Sequence, residues 1–325
     1  MSVPTPADEK RHEKGPERLW SESWYMDWFD DEGKNGGYVR LAVCSNLNEC
    51  WFWCCIVGED QKPIFIIDHD AAIPDPPGLE IRSTGLWADL AVESPLEYFS
   101  VGVEAFGVAL DDPREAYGDM RGEKVPVGID LGWATDSHEN KSDGSEPWAF
   151  HYDVTTRYEI PCRVSGEVQV GEKKSQIDGW GQRDHSWAER DWWDKGWTWF
   201  SGRFEDGSRF HAVAVEGHDL GIGYHSSPDG LIAEHRIVSN PQLGPEGIPT
   251  NGHVTLGETV IEFEPIGWAP VLLTDPVNGH ISRFPRGLVS IQTNDGRKAT
   301  HGSNLTSHRN KSELLTFSFS RFFRD

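Results

Sequence analysis

The segment Gly179–Trp193, which reads GWGQRDHSWAERDWW, places two Asp, two Arg, one His and one Glu among four Trp, and Trp197 and Trp199 follow closely. A buried Trp removes a large apolar area from water, yet its indole N–H still needs a hydrogen-bond acceptor. Charged groups among such rings must be paired with opposite charges, exposed to water or shifted in pKa. Functional sites and structural ion-pair networks both produce this pattern, so the segment is a candidate for either.

The composition predicts a substantial core and disfavours some partners. The chain has 325 residues, of which 37% are hydrophobic, with 15 Trp and 15 Phe. This length exceeds the usual size of one domain, so one large or two medium domains are expected. The formal net charge of −23 disfavours binding to nucleic acids and to anionic membrane surfaces. No apolar run approaches the ~18 residues of a membrane-spanning helix, so no membrane span is expected.

Residues 1–18 and the cysteines indicate a cytoplasmic protein. Residues 1–18 are polar and lack the apolar core of a signal peptide, so we expect a disordered lead-in. Four of the five cysteines cluster between Cys44 and Cys55 in strand-like sequence, and the fifth is Cys162. Their odd number, together with the lack of a signal peptide, favours reduced thiols and a cytoplasmic location.

Extended patterns dominate the chain. Arg163–Val170 and Lys174–Gly181 are predicted to form a hairpin across Gly171-Glu172, and Asp206-Gly207 marks a second hairpin. Alternating apolar residues between Tyr98 and Leu110 indicate a strand with one buried face. No helical periodicity longer than a few turns and no solenoid-length repeat is present.

The predicted fold class is all-β, with antiparallel strands arranged as sandwiches or barrels in two sequential units. One short helix is expected at Pro113–Tyr117, where Asp112 is a good N-cap and Pro occupies the first helical position. After the lead-in, we predict an N-terminal domain over residues 19–162. A C-terminal domain over residues 163–325 carries the aromatic segment.

Strand alternation within the segment separates its ionisable groups. Arg183, His185 and Trp187 would lie on one face and Asp184 on the other. Either face could line a cavity, so both sets stay open. The structural alternative for Asp184 is a buried carboxylate held by backbone N–H groups or by Arg190, and for His185 it is a satisfied core histidine.

Several kinds of site are not indicated by any motif. The sequence contains no HExxH motif, no paired-cysteine zinc motif, no Gly-rich phosphate loop and no GxSxG nucleophile elbow. The prediction is therefore a protein without a metal site and without a cofactor. A zinc site assembled from histidines on separate predicted strands stays open; these are His211, His225, His235 and His253.

Residues Gly181–Trp187, GQRDHSW, resemble the Asp-His-x-Trp signature of the carotenoid hydratase / tocopherol cyclase-like group, two-domain lipocalin-like proteins that include some Diels–Alderases. The longer pattern G-Q-R-D-H-S-W-G-x-R-D-W-W resembles a bacterial branch of this group, although Ala188 stands where that pattern has Gly. The resemblance extends from about Trp20 to Trp268, and the tail beyond Asp295 matches poorly, so its role stays open. Three further segments support the resemblance: Glu22–Tyr25, Val125–Leu131 and Tyr158–Cys162.

This resemblance implies two lipocalin-like β units, a ligand cavity between or within them, and cofactor-free chemistry on a large apolar molecule. We therefore expect a lyase or isomerase of the alkene hydratase or cyclase type, acting by proton transfer on a terpenoid, steroid-like or other large apolar substrate. Protonation of a carbon–carbon double bond needs an acid kept neutral in a dry pocket, where desolvation raises the pKa of a carboxyl group. Asp184 is the candidate acid, and His185 is the candidate to orient it or to activate water.

The residues around this pair are predicted to bind the hydrophobic small-molecule substrate. Six Trp within Trp180–Trp199 indicate an aromatic-lined pocket, whose ring faces would stabilise a carbocation. Arg183 and Arg190 would lower the pKa of Asp184 and so oppose its role as an acid. This does not apply if Arg183 points away from Asp184 and Asp191 pairs with Arg190. The alternative function is a non-catalytic carrier of hydrophobic ligands, and the oligomeric state stays open. The predicted binding residues are Trp180, Trp187, Arg190, Asp191, Trp192, Trp197 and Trp199.

Overall fold

A computed structural model describes residues 4–136, 150–151, 156–217, 221–227, 230–306 and 308–309. Within these residues nearly all regular structure is strand, with short 3-10 helices at Pro113–Tyr117 and Pro245–Gly247. The strands are β1 (Trp20–Asp30), β2 (Asn35–Cys44), β3 (Glu49–Gly58), β4 (Gln61–Asp68), β5 (Ile81–Ser83), β6 (Leu86–Ser94), β7 (Tyr98–Ala109), β8 (Glu123–Thr135), β9 (Phe150–His151), β10 (Arg157–Val170), β11 (Lys173–Glu189), β12 (Trp197–Phe204), β13 (Arg209–Val215), β14 (Gly221–Ser227), β15 (Gly230–Glu234), β16 (Ile237–Leu243), β17 (Pro249–Leu256), β18 (Thr259–Trp268), β19 (Val271–Thr274), β20 (Ile281–Phe284), β21 (Arg286–Thr293), β22 (Lys298–Thr306) and β23 (His308–Arg309).

The first sheet closes into a barrel. Its antiparallel strands follow the order β4-β3-β2-β1-β11-β10-β8-β7, and β4 pairs again with β7 to complete the ring. β6 and β5 extend from β7, and β9 pairs with β10. Closure leaves the ring without free edges and directs alternate side chains inward. The alternation predicted for β7 is present, since Phe99, Val101 and Val103 are buried and the intervening residues are less so.

The second sheet has the order β15-β14-β13-β12-β22-β21-β18-β17-β16. Its two ends approach each other where the N–H of Gly221 donates to the carbonyl of His235 at 3.0 Å. The tail beyond Asp295 supplies β22, which lies between β12 and β21. A small third sheet has the order β19-β20-β23.

Three apolar clusters hold these sheets together. The first fills the closed barrel around residues such as Trp133, and a second fills the other sheet around Phe263. A third cluster lies between the two sheets, where the rings of Tyr25 and Trp199 are 5.2 Å apart. Fully burying a side chain such as Phe contributes about 1.5–3 kcal/mol, so this layer joins the two sheets.

The predicted fold class is confirmed. The structure is all-β and antiparallel, and both predicted hairpins are present as β10–β11 and β12–β13. Gly171 and Gly207 occupy their turns at φ values of 61° and 83°, a region that glycine enters without steric cost. The short helix at Pro113–Tyr117 is of the 3-10 type, and the side chain of Asp112 caps it by accepting from Arg114 N–H. Among the residues described, no helix has the length and apolarity needed to cross a membrane.

The division of the chain between the sheets differs from the predicted boundary after residue 162, which falls inside β10. β10 and β11 belong to the first sheet, and the second sheet begins with β12 at Trp197. The motif strand β11 therefore belongs to the first barrel and not to a C-terminal unit. The sequence alone did not indicate that β11 belongs to the first sheet, because its partner β1 lies far from it in the chain.

The described part of the predicted lead-in, residues 4–18, has defined contacts. Glu9 is buried, and its carboxylate accepts from Arg183 at 2.7 Å and from the N–H of Leu96 at 3.0 Å. The backbone N–H of His12 donates to Glu22 at 2.9 Å. The expectation of a disordered lead-in is therefore corrected for these residues, because this polar segment pairs its charges with groups of the barrel.

Candidate functional site

Strand β11 presents alternate residues of the motif to two different parts of the molecule. Residues directly opposite each other on adjacent strands share a face. His185 lies opposite Trp24 and stacks on it inside the first barrel, with ring centroids 4.7 Å apart. Asp184 lies opposite Tyr25, whose ring belongs to the layer between the sheets. The two candidate catalytic residues therefore lie on opposite faces and are not brought together in one site.

Inside the barrel, Glu22 joins two histidines. Its Oε1 lies 2.9 Å from His12 Nδ1 and 3.1 Å from His185 Nε2. Burial acts to raise the pKa of Glu22, but hydrogen bonds from His12 and His185 outweigh it and hold this pKa below the ordinary value of 4.5. Glu22 is therefore ionised near neutral pH and cannot serve there as a proton donor.

The N-terminal segment completes this inner group. His185 Nδ1 lies 2.9 Å from the carbonyl oxygen of Asp8. Arg183 pairs with Glu9, and these two side chains are 3% and 4% exposed. Arg183 therefore points away from Asp184, which meets one of the two conditions that the acid role of Asp184 requires.

His12, Glu22 and His185 also have a donor set that suits a divalent transition metal. Their ligand atoms, two ring nitrogens and a carboxylate oxygen, lie within 4.8 Å of one another. Catalytic zinc sites use such sets. No other group of His, Cys, Asp or Glu converges in this way within the described residues. The zinc site left open from the sequence does not form there; its members were His211, His225, His235 and His253.

The outer face of the barrel carries a buried carboxyl that sequence reasoning missed. Glu159 is 0% exposed and lies opposite Asp184 across β10 and β11. Trp199 Nε1 donates to Glu159 Oε1 at 3.1 Å, and Gln182 Nε2 donates to Oε2 at 3.3 Å. Arg157 donates to both Glu159 and Asp184. These contacts place Glu159 between the first barrel and β12 of the second sheet.

The surroundings of Glu159 favour its neutral form. Burial raises the pKa of Glu159 well above its ordinary value of 4.5; Arg157 opposes this effect, and the negative charge of Asp184 adds to it. Burial, and after it Arg157, lower the pKa of His211 well below 6.5. His211 Nε2 lies 3.5 Å from Glu159 Oε1. These effects favour the protonated carboxyl of Glu159 beside the neutral imidazole of His211.

The arginine that neutralises Asp184 is Arg157 and not one of the two arginines of the motif. Arg190 lies near this group, and burial followed by repulsion from Arg157 lowers the pKa of Arg190 to about 10. Asp191 is exposed, and its carboxylate accepts from the N–H of Trp193 at 3.0 Å. Asp191 and Arg190 form no ion pair in the described structure, so the second condition for the acid role of Asp184 is not met.

The tryptophans predicted to line one pocket lie in several environments. Of the five predicted, Trp199 is the one that hydrogen-bonds to Glu159. Trp180, Trp192 and Trp197 belong with Trp199 to the apolar cluster between the sheets, whereas Trp187 packs against the cluster inside the first barrel. Trp187 stacks on His12 at 3.8 Å, Trp180 lies between the guanidinium groups of Arg163 and Arg203 at 4.4 and 3.6 Å, and Trp192 and Trp197 pack on Phe284.

The two best-formed clefts among the described residues lie between the sheets and are small. One has a volume of about 240 Å³ including its open mouth, and Ser201 on its wall pairs with His211 beside the Glu159 group. The other, about 280 Å³, is lined by Tyr25, Tyr38 and Leu288 among others. Even with the open solvent at their mouths included, both volumes are below the roughly 300–1,000 Å³ of typical ligand pockets, so a large substrate requires the sheets to move apart.

Two of the missed carboxylates had a signal in the sequence. Glu22 and Glu159 lie in Glu22–Tyr25 and Tyr158–Cys162, two segments that carry the resemblance. Each lies among apolar and aromatic residues of a strand, where a carboxylate needs a buried partner. Arg157 lies on the strand that the predicted hairpin pairs with the motif, whereas the contact of His211 with Glu159 depends on how the second sheet packs.

Solved structures with this fold align over most of the chain. A protein of Nitrosomonas europaea, named as a candidate AttH, is 14% identical with a TM-score of 0.60, over 94% of this chain and 97% of its own. Kievitone hydratase of Nectria haematococca is 12% identical with a TM-score of 0.56, over 94% and 95%. CghA is 8% identical with a TM-score of 0.54, over 91% and 90%. At such identities the likeness shows a shared fold and does not fix the reaction.

Sequence comparison adds the family. No curated protein sequence matches the chain. One family model, described as a domain of unknown function (DUF7064), matches residues 5–309, which include the N-terminal segment and both large sheets. The chain therefore belongs to the DUF7064 family.

Proposed function

We propose that this protein is a cofactor-independent hydratase or cyclase that protonates a carbon–carbon double bond of an apolar substrate, with the Glu159–Asp184 pair as its acid. The observation that carries this proposal is the fully buried Glu159, whose pKa burial raises well above the ordinary range. The likeness to kievitone hydratase in fold supports the same class of reaction.

The chemistry requires a strong acid in a dry site. Transfer of a proton from Glu159 to one alkene carbon leaves a carbocation on the other, and the carboxyl becomes a carboxylate. Nearby aromatic faces stabilise the cation by cation–π attraction, worth about 2 kcal/mol or more when desolvated. Trp199, which hydrogen-bonds to Glu159, is the closest ring in this role.

The second step returns the proton. In a hydratase, water attacks the cation and loses a proton to the neutral imidazole of His211, which passes it to the Glu159 carboxylate 3.5 Å away and so regenerates the acid. In a cyclase, an internal double bond or hydroxyl replaces water. Arg157 pairs with Asp184, and the negative charge of Asp184 adds to the rise in the pKa of Glu159. Asp184 therefore supports the acid and does not donate the proton itself.

A terpenoid or other large apolar molecule is the proposed substrate class. The site lies between two sheets whose contact layer is apolar, and a cleft begins beside His211. The interior of the first barrel is filled by side chains such as Trp24, Phe52 and Trp133, so the ligand of a carrier, like a substrate, would have to enter between the sheets. The carrier alternative therefore differs from the enzyme in that no proton is transferred to the ligand.

The test is solvent-proton transfer. The protein is incubated in deuterium oxide with a panel of linear terpenoids and prenylated phenols, and deuterium in the recovered compounds is measured by mass spectrometry. We expect one deuterium on the protonated carbon with the wild type and a loss of about 10²–10⁴-fold in rate with Glu159→Gln. Glu123→Gln, a change at an exposed carboxylate of β8, is the matched control and should keep the wild-type rate.

Wild-type rates in a folded Glu159→Gln variant would exclude Glu159 as the donor. Quenching of Trp fluorescence by the same compounds, with no deuterium incorporated into any of them, would instead favour the carrier.

A further inference from the structure

Two guanidinium groups are buried between the sheets without an acidic partner. Arg40 of β2 and Arg286 of β21 are each 2% exposed. Neither forms an ion pair with any carboxylate in the described part of the chain. Nη1 and Nη2 of Arg40, and Nε and Nη1 of Arg286, are buried and have no hydrogen-bond acceptor.

Aromatic rings hold both groups in place. The guanidinium of Arg40 lies 4.6 Å from the ring of Trp53 and 4.7 Å from that of Trp192. The guanidinium of Arg286 lies 4.8 Å from Tyr25 and is also within contact of Trp53. Ring stacking satisfies the flat faces of a guanidinium, whereas its N–H groups point outward in the plane and remain without acceptors.

Burial of these two arginines costs free energy unless an anion accepts hydrogen bonds from them. Burial, and after it the positive charge of Arg286, lower the pKa of Arg40 to about 9. Two like charges and several N–H donors without acceptors, buried together in one apolar layer, destabilise the packing of the two sheets. A planar carboxylate accepts paired N–H bonds from such groups, and this geometry makes arginine its preferred partner.

We propose that Arg40 and Arg286 bind the carboxylate of an unsaturated apolar acid, and that the double bond of this acid lies at the Glu159–Asp184 pair. This inference rests on the proposed function, which it extends by naming the substrate class. The second cleft is lined by Tyr25 and Tyr38, and the guanidinium of Arg286 lies 4.8 Å from the ring of each.

The strand register sets the length of this acid. Cross-strand neighbours on the outer face form one row across the barrel. Three strand spacings separate Glu159 from Arg40, with Asp184 and Tyr25 between them, which corresponds to about 14 Å between the strands. Geranic acid has a carboxylate at one end and a double bond near the other, so it fits within this distance between side chains that extend from both strands. The row is Glu159, Asp184, Tyr25, Arg40 and Trp53.

The test compares geranic acid with geraniol, which has the same chain and no charge. Binding is followed by calorimetry and Trp fluorescence at neutral pH with the wild type, Arg40→Met and Arg286→Met. Methionine keeps length and apolar contacts but removes the charge. Arg121→Met, at an arginine that is 83% exposed, is the matched control.

We expect the wild type to bind geranate about tenfold or more tightly than geraniol, because the carboxylate meets unsatisfied charged donors. Arg40→Met and Arg286→Met should each reduce this preference, and Arg121→Met should retain it. If a methionine variant does not fold, Arg40→Lys keeps the charge but loses paired N–H bonding, and should weaken the preference less.

Equal affinity of the wild type for geranate and geraniol would overturn the inference, as would an unchanged preference in both folded methionine variants. Glu159→Gln should bind geranate as the wild type does. A clear preference for geranate without any deuterium incorporation would refute the proposed acid chemistry and leave the anion site standing, so the two failures are distinguishable.

Discussion

At the scale of single residues, the site depends on which face of a strand each side chain occupies. Asp184 and His185 are adjacent in sequence, yet Asp184 pairs with Arg157 between the sheets and His185 contacts Glu22 inside the barrel. Glu159 lies opposite Asp184 and shares its arginine. Burial, and the negative charge of Asp184, raise the pKa of Glu159, so the protonated form of this carboxyl is favoured.

The first residue-scale prediction concerns stability and pH. Because the pKa of Glu159 is raised in the folded protein, the unfolded chain loses this proton at lower pH than the folded chain does. The wild type should therefore lose stability relative to Glu159→Gln as the pH rises above about 4.5, until the folded pKa is passed. Urea unfolding at about pH 5 and pH 8 measures this. A difference between the two proteins that does not change with pH would contradict it.

A second prediction separates Asp184 from Glu159 in catalysis. The negative charge of Asp184 raises the pKa of Glu159, and Arg157 lowers it. Asp184→Asn removes the first effect and keeps the second, so Glu159 should ionise at lower pH. The pH–rate profile of the variant should therefore shift to lower pH, with activity retained in acid. If Asp184 were the donor, activity would be lost at every pH.

At the scale of elements, the N-terminal segment and β11 form one unit. Glu9 of this segment pairs with Arg183 of β11, and Asp8 and His12 contact His185 and Glu22. The segment thus satisfies buried polar groups that the barrel strands leave unpaired. Its conformation depends on these charges because it contributes little apolar surface of its own.

We expect Glu9→Ala to destabilise the barrel strongly, because it leaves Arg183 as an unpaired buried cation. Loss of one partner of a buried pair costs about 3–5 kcal/mol, which corresponds to a fall in melting temperature of roughly 6–20 °C. Thermal unfolding followed by circular dichroism measures it. Glu13→Ala, at an exposed acid of the same segment, is the control and should change the melting temperature little. Equal melting temperatures of the two variants would contradict the assigned pair.

Local elements could be predicted from the sequence, and their assembly could not. Asp206-Gly207 predicts its hairpin and Asp112 its 3-10 helix because turn and cap chemistry act over a few residues. The pairing of β1 with β11 joins distant segments, so the boundary after residue 162 was misplaced. The alternation of the motif was predictable, and the predicted hairpin across Gly171-Glu172 sets Glu159 opposite Asp184, but the burial of this face depends on packing against the second sheet.

At the scale of the whole molecule, the apolar layer makes the two sheets interdependent. Tyr38 of the first sheet donates its hydroxyl to the carbonyl of Ala269 at 2.9 Å, and Trp193 donates to that of Leu273 at 3.3 Å. The Glu159 group also spans both sheets through Trp199. If the two sheets separated, the apolar face of each sheet in this layer would be exposed to water.

We therefore expect the two sheets to unfold together. Separation would expose Trp53, Trp199 and their neighbours to water, and each buried aromatic carries a large hydrophobic contribution. Calorimetry should give a single transition, and tryptophan fluorescence should follow the same curve as far-ultraviolet circular dichroism. Two resolved transitions would show that the apolar layer contributes less to the free energy of unfolding than its buried area suggests.

Closure of the first barrel by β1 and β11 also constrains biosynthesis. The hydroxyls of Ser23 and Ser186 lie 3.1 Å apart although 163 residues separate them in the chain. At about 5–20 residues per second, a ribosome needs on the order of 10–30 s to make the second strand after the first. During that interval β1 leaves the exit tunnel with one edge unpaired, which makes the nascent chain a natural client for chaperones that hold exposed strands.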